Sequence, residues 1–186
     1  MPIVAFPSQA AWAEWLAEYH AVSPGVWLKI AKKGSGVATV TYAEALEAAL
    51  CHGWIDSQKA AFDAAFSLQR FTPRRPKSIW SRVNRDKALA LIERGAMRPA
   101  GLREVERAKA DGRWDAAYEP QRTATVPADL RQALDENAAA ATFFAALDSA
   151  NRYAILHRVH TAKKPETRAR RIAQFVAMLA EGKKLH

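Results

Sequence analysis

The sequence has one cysteine, Cys51, and no long apolar run. A lone cysteine cannot form a disulfide within the chain, which excludes the disulfide-framework proteins of the extracellular space. The longest run of small apolar residues, 138–147, falls well short of the ~20 residues that a membrane span needs. Residues 1–16 also lack the basic start and continuous apolar core of a signal peptide. We therefore expect a cytoplasmic protein without a transmembrane segment.

The motifs of phosphate loops, dinucleotide sites, zinc proteases and serine hydrolases are missing as well. His157 and His160 lie three residues apart and would share a helix face, but no carboxylate accompanies them at helical spacing. A zinc site needs three or four ligands, so this pair is insufficient. The sequence thus predicts no metal, no cofactor and no catalytic residue.

Positive charge is what the chain has in excess. It contains 28 Lys and Arg against 19 Asp and Glu, which gives a formal net charge of +9. Hydrophobic residues make up 49% and charged residues 25% of the 186 residues, a balance that is typical of globular proteins. This length predicts one domain or two small ones. The charge favours an anionic partner.

Periodicity predicts an α+β unit in the first part of the chain. A helical stripe is followed by residues 26–31, which alternate like a half-buried strand. Thr41 and Glu44 match a capping box that opens a second helix. Two further strand candidates, 54–59 and 65–71, are close enough in sequence to form an antiparallel hairpin. We therefore expect an α-β-α-β-β unit with a small antiparallel sheet.

The rest of the chain is predicted to be mainly helical. Pro127 is expected to open one Ala-rich helix that continues to Leu147, and Ser149 is expected to cap the next helix. The predicted domains are an α+β domain at 1–114, a connector at 115–126 and a helical module at 127–186.

Six segments occur in order between about Trp12 and Lys184. They are WLKIAKK, ALCHGWIDSQ, FTPRRPKSIWSRVN, GAMRPAGLREVERAKADGRW, VPADLRQAL and TRARRI. This set resembles the YdeI/OmpD-associated family, also called bacteriocin-protection proteins. The resemblance implies an N-terminal α+β part related to the frataxin-like/YjbR group and a helical C-terminal module. It implies no catalytic residues, because the family name records a bacteriocin-resistance or porin-associated phenotype and not a chemical activity.

The densest group of cations lies at 70–87, where seven Lys and Arg accompany one acid, Asp86. Two prolines stiffen this segment, and aromatic residues are interleaved with the cations. Guanidinium groups beside aromatic rings on a stiff loop form a typical site for phosphate or carboxylate. Ser81 would add the free N–H groups of a helix N-terminus. The residues predicted to bind an anion are Trp54, Asp56, Arg74, Arg75, Lys77, Ser78, Trp80 and Asn84.

Two other interpretations of these residues stay open. Trp80 is a candidate core anchor, over which the arginines of the loop lie as solvated stems. Asp56 is a candidate partner for an arginine of 74–77 or for His52, and these groups would serve an enzyme that acts on a small anionic metabolite. Cys51 follows an apolar helix face and is predicted to be a small buried residue and not a nucleophile.

A second basic region lies at 163–184, where seven Lys and Arg outnumber two Glu. The apolar stripe within it would pack on the preceding helix, or such a helix would lie on nucleic acid or an anionic membrane. The function predicted from the sequence is a non-enzymatic binding protein for an anionic small molecule or an acidic protein surface. Weak, sequence-independent nucleic-acid binding through both basic regions is the alternative. The sequence leaves the oligomeric state open.

Overall fold

The computed structural model describes residues 1–185, which form two compact units, Met1–Ala117 and the part from Tyr118 onward. The elements of the N-terminal unit are β1 (Ile3–Val4), α1 (Gln9–Tyr19), β2 (Val26–Ala31), α2 (Tyr42–Cys51), β3 (Trp54–Ala61), β4 (Phe66–Pro73), α3 (Arg82–Glu93) and α4 (Pro99–Ala110). Those of the C-terminal unit are α5 (Ala128–Asp135), α6 (Ala138–Ala146), α7 (Ser149–His160) and α8 (Pro165–Ala180). The α+β class predicted from the sequence is confirmed.

The sheet of the N-terminal unit has the strand order β1-β2-β4-β3. Strands β2 and β3 both pair with β4 in antiparallel fashion, whereas β1 pairs with β2 in parallel. The sheet is therefore mixed, whereas the sequence predicts a purely antiparallel sheet. The reason is that a two-residue strand, Ile3–Val4, is too short to leave a periodic pattern in the sequence.

One face of the sheet packs against α1 and α2 and forms the core of the N-terminal unit. Leu28 of β2 points to this face and is fully buried. The ring of Trp12 in α1 meets Trp54 of β3 edge-on, with centroids 6.3 Å apart, and lies 5.8 Å from the ring of Phe71 in β4. The indole N–H of Trp12 donates to the carbonyl oxygen of Ala45 at 3.1 Å, so the polar edge of this buried ring is satisfied.

Local capping starts α2 and α3 where the sequence predicts. Thr41 and Glu44 form both hydrogen bonds of the capping box at α2. Ser81 caps α3 by accepting a hydrogen bond from the N–H of Asn84 at 3.2 Å. The positions of α2 and α3 therefore follow from contacts between near neighbours in the chain.

Two helix starts in the C-terminal unit differ from the prediction. The single helix expected from Pro127 to Leu147 is divided, because Asn137 caps α6 by accepting a hydrogen bond from the N–H of Ala140 at 3.0 Å. The cap of α7 is Asp148, and Ser149 is the first helical residue. A short side chain that accepts backbone hydrogen bonds thus decides both boundaries.

The core of the C-terminal unit contains the apolar stripe of α8. Ile172, Phe175 and Leu179 are buried against residues of α5, α6 and α7. Arg168 joins α8 to α5, since its Nε lies 2.5 Å from a carboxylate oxygen of Asp129. No helix within residues 1–185 combines the length and the apolar character needed to cross a membrane.

Candidate anion-binding groove

The loop between β4 and α3 contains several of the predicted anion-binding residues, and one arginine organises it from within. Arg74 is only 5% exposed, and its guanidinium carbon lies 3.6 Å from the ring centroid of Trp80. Its Nη1 donates to the carbonyl oxygen of Ile79 at 3.3 Å and to the hydroxyl of Ser78 at 3.4 Å. These contacts give Arg74 a structural role in the loop, and they bring three of the predicted residues together.

A second buried arginine, Arg113, holds the same loop from the segment after α4. It is 4% exposed, and its Nη1 donates to the carbonyl oxygen of Ser78 at 2.5 Å. Its Nε donates to the carboxylate of Asp111 at 2.7 Å. The adjacent Trp114 meets the ring of Trp80 edge-on at 4.9 Å. No motif in the sequence marks Arg113, because only the tertiary fold brings residues 78 and 113 together.

Three other predicted residues divide between the core and the surface. Trp54 is buried, and its indole N–H donates to the carbonyl oxygen of His20 at 3.0 Å. Arg75 and Lys77 are exposed on the β4–α3 loop. The loop therefore presents two predicted cations to solvent while Trp54 contributes to packing.

Asp56 has a partner that differs from the expected ones, and Asn84 lies at the start of α3. The carboxylate of Asp56 accepts a hydrogen bond from the hydroxyl of Tyr42 at 2.8 Å. This contact takes the place of the expected pairing with an arginine of 74–77 or with His52. Asn84 is half-buried in the first turn of α3. The structure thus joins Arg74, Ser78 and Trp80 directly, whereas Asp56 contacts Tyr42 instead.

Two histidines at the ends of neighbouring helices occupy a different part of the N-terminal unit. His20 follows α1 and His52 follows α2, and their ring centroids are 5.5 Å apart. The Nδ1 of His20 lies 2.8 Å from the carbonyl oxygen of Leu16, and that of His52 lies 2.9 Å from the carbonyl oxygen of Ala48. In the neutral imidazole, Nδ1 then carries the proton and Nε2 keeps its lone pair.

These histidines open onto a cavity of about 550 Å³, which we call the histidine–arginine groove. It is lined by Ala17, His20, His52, Arg98, Pro99, Ala100 and Arg103. None of these lining residues is acidic. An adjoining cavity of about 420 Å³ also contacts His52 and Arg98 and extends to two acids, Glu14 and Glu47, of which Glu47 is paired with Arg94 at 2.6 Å. The groove itself therefore contains two arginines and no acid.

Close helix packing places the start of α4 beside the end of α2. A Cβ at Gly101 would lie 2.5 Å from the carbonyl oxygen of Cys51, and one at Gly53 would lie 2.9 Å from the carbonyl oxygen of Ala100. Only glycine permits this approach. The N–H of Arg98 donates to the carbonyl oxygen of Cys51 at 3.1 Å, and no side chain caps α4. The positive end of the α4 dipole therefore adds to the charge of the groove.

The environment of the groove shifts the protonation of the residues that line it. Burial lowers the pKa of His52, and the nearby His20 and Arg98 lower it further. His52 is therefore neutral at pH 7, and a bound anion would favour its protonation at Nε2. Burial raises the pKa of the neighbouring Cys51 thiol, so this thiol stays protonated and is a poor nucleophile.

The groove lacks the ligand set of a metal site. His20 and His52 are two ligands, and zinc takes three or four. Anywhere in residues 1–185, groups of three or more His, Cys, Asp or Glu placed to hold a metal ion are absent. The donors that the groove offers are cationic N–H groups, which suit phosphate and carboxylate.

Comparison with known proteins gives matches to two family models. Residues 123–182 match the model described as Bacteriocin-protection, YdeI or OmpD-Associated, which supports the resemblance for the C-terminal unit. No curated protein and no solved structure matches the chain. Residues 4–104 match a different model, so the likeness of this part to the frataxin-like/YjbR group has no support from the comparison. Because this second match covers more than half of the chain, the protein belongs to the family described as Domain of unknown function (DUF8412).

Proposed function

We propose that this protein binds a small molecule bearing a phosphate or carboxylate group in the histidine–arginine groove. The observation that carries the proposal is that two arginines without an acidic partner, Arg98 and Arg103, line the same groove. Both line the groove, and neither forms an ion pair with a carboxylate of residues 1–185. Arg94, at the border of the adjoining cavity, is instead neutralised by Glu47. The two guanidinium groups are thus available to an anionic ligand.

The chemistry of the groove suits an oxyanion with several acceptor oxygens. The planar guanidinium groups of Arg98 and Arg103 can each donate two parallel hydrogen bonds to a phosphate or carboxylate. His52, once protonated, donates a further hydrogen bond from Nε2. The uncapped first turn of α4 adds the favourable end of a helix dipole. Affinity for the anion should therefore increase as the pH falls through the range in which His52 takes up its proton.

These contacts support a protein that binds the anion without converting it. The candidate acid Asp56 is hydrogen-bonded to Tyr42 at 2.8 Å, and the thiol of Cys51 is protonated because burial raises its pKa. Catalysis by a nucleophile would require a base within hydrogen-bond reach of it. The residues of the groove offer cationic donors, and not a nucleophile paired with a base.

The test is the stabilisation of the full chain by inorganic phosphate, measured as the shift of the melting temperature. A ligand at 100 times its Kd stabilises a protein by about 2.7 kcal/mol. For a chain of this size, each kcal/mol raises the melting temperature by about 2–4 °C. The double variant Arg98→Ala/Arg103→Ala should lose most of this shift.

The matched control is Arg75→Ala/Lys77→Ala, which removes two exposed cations from the β4–α3 loop of the same unit. It should keep the phosphate-dependent shift. If the control loses the shift and the groove variant keeps it, the loop is the anion site and the groove is not. If phosphate does not stabilise the wild-type chain at all, the proposed function is wrong.

We further propose that anion binding serves a role in bacteriocin protection. The match of residues 123–182 supports this link. Cells that lack the chain should survive a bacteriocin less well, and Arg98→Ala/Arg103→Ala should restore survival less than the wild-type chain does. Equal restoration by both would separate bacteriocin protection from the groove.

A further inference from the structure

The outer face of the sheet, opposite α1 and α2, presents aromatic rings beside cations. Side chains alternate between the two faces of a strand, so residues next to buried Leu28 point outward. The outer sheet face comprises Trp27 and Lys29 of β2, Phe66, Leu68 and Arg70 of β4, and Phe62 of the β3–β4 turn. Trp27 pairs with Arg70 across the strands, and Lys29 pairs with Leu68. Aromatic and cationic side chains are thus direct neighbours across this face.

This face forms a cluster that is separate from the main core. Leu68 is only 8% exposed, yet it belongs to neither of the two buried core clusters. The ammonium group of Lys29 lies 4.3 Å from the ring centroid of Phe62 and 5.4 Å from that of Phe66. Phe62 is nevertheless 43% exposed, and within residues 1–185 no other ring stacks on Trp27. Trp27 is half-buried, so part of its ring is open to a ligand, as is the more exposed ring of Phe62.

The strand residues of the outer sheet face carry charge of one sign, and the carboxylate of Asp63 in the β3–β4 turn accepts hydrogen bonds from the N–H groups of Ala65 and Phe66. In strands β2, β3 and β4 the only carboxylate is Asp56, and it is bonded to Tyr42 of α2, on the helical side. The outer sheet face carries Lys29 and Arg70 without an acid among its strand residues. Arg70 donates from Nη1 to the side-chain oxygen of Gln58 at 3.1 Å, which fixes its guanidinium group above the sheet.

We propose that the outer sheet face binds single-stranded nucleic acid. Bases would stack on Trp27 and Phe62, and the phosphates would contact Lys29 and Arg70. Unstacked bases offer a π-face to aromatic side chains, whereas the bases of a duplex are covered by one another. A ligand with phosphate alone would make no use of the rings, and an apolar partner would leave Lys29 without a counter-charge. This surface shares no residue with the histidine–arginine groove.

The test uses the full chain and a short fluorescein-labelled oligothymidylate, with binding followed by fluorescence anisotropy. Removing one stacking ring typically weakens binding by about 5-fold to about 150-fold, equivalent to about 1–3 kcal/mol. Trp27→Leu should show a loss in this range, and Trp27→Phe should retain most of the affinity because it keeps a ring. Phe62→Ser, at an exposed turn position, tests the second ring without disturbing the sheet.

Salt dependence tests the phosphate contacts. The slope of log K against log salt changes by about 0.7 for each phosphate contact on a single strand. Lys29→Gln should reduce the slope by this amount, and the matched control Lys33→Gln, in the exposed loop after β2, should not. The proposal is overturned if a duplex of the same length binds as tightly as the single strand. It is also overturned if the folded Trp27→Leu and Phe62→Ser variants bind like the wild-type chain.

Discussion

Replacing Gly101 with alanine tests the helix packing that builds the groove. Helix propensity alone predicts that this change stabilises α4, by about 0.8–1.0 kcal/mol. The structure predicts the opposite sign. A Cβ here would lie 2.5 Å from the carbonyl oxygen of Cys51 and 2.7 Å from that of Leu50, where ordinary contact begins at 3.4 Å. Helices α4 and α2 must therefore separate by about 0.9 Å, the difference between the 2.5 Å approach to Cys51 and the 3.4 Å of ordinary contact.

The expected magnitude follows from the two opposing effects. Overpacking a core costs about 1–3 kcal/mol, and the clash at Gly101 falls at the upper end because two of the opposing atoms are backbone. Subtracting the gain in helix propensity leaves a net destabilisation of about 2 kcal/mol. The same separation would move Arg98 and Arg103 away from His52, so phosphate-dependent stabilisation should also decrease.

Tryptophan fluorescence measures this effect in one unit of the chain. All six tryptophans lie in the N-terminal unit, at positions 12, 15, 27, 54, 80 and 114. Urea unfolding followed by their emission thus reports the unit that contains Gly101. The matched control is Leu102→Ala, an exposed position next to it in α4, which should change the free energy of unfolding by less than about 0.5 kcal/mol. A Gly101→Ala variant as stable as the wild-type chain, or more stable, would refute the packing argument.

Three further predictions concern single side chains. Arg113→Ala should lower the free energy of unfolding of the N-terminal unit by about 1.5–3 kcal/mol, because hydrogen bonds from a charged group contribute about this much. The control Arg75→Ala should change it by less than about 0.5 kcal/mol. Equal effects of the two variants in urea titrations would contradict the structural role of Arg113. The folded-state pKa of His52 is lowered, so the unfolded chain takes up its proton first, and stability should fall as the pH drops below about 6.5. His52→Asn should reduce this dependence in the same titration, and an unchanged slope would exclude His52 as its source. Arg168→Ala should destabilise α8 by about 0.2–1 kcal/mol at neutral pH, measured by amide hydrogen exchange, because it breaks the exposed pair with Asp129. Since Arg168 lowers the pKa of Asp129, the pair stabilises the fold at pH values above the ordinary carboxyl pKa, and this stabilisation is lost on acidification. If Arg168→Ala destabilises α8 equally in acid, the ion pair is not the origin of the effect.

Features that depend on near neighbours in the chain could be predicted from the sequence. The capping box of Thr41 and Glu44 and the cap at Ser81 each need only residues within one helical turn. The alternation at 26–31 and the apolar stripe of α8 identify which faces are buried, because burial follows the period of each element. The α+β class follows from the order of these elements. The lone cysteine excludes an intrachain disulfide whatever the fold.

Other features were decided by contacts between distant segments. The strand Ile3–Val4 exists only because β2 offers an edge for it to pair with. Arg113 holds the β4–α3 loop through Ser78, from a position that follows α4. No periodicity in the sequence could indicate either contact, since each depends on the final arrangement of the whole unit.

The histidine–arginine groove is the clearest case of this division. His20, His52 and Arg98 belong to three segments that are far apart in sequence, and none of them lies in the densest group of cations. They meet because Gly101 lets the backbone of α4 approach the last carbonyl groups of α2. The sequence determined how many cations the chain carries. Which cations lack a carboxylate neighbour depends on distances across the fold, because an ion pair forms only where the tertiary structure brings opposite charges within a few ångströms.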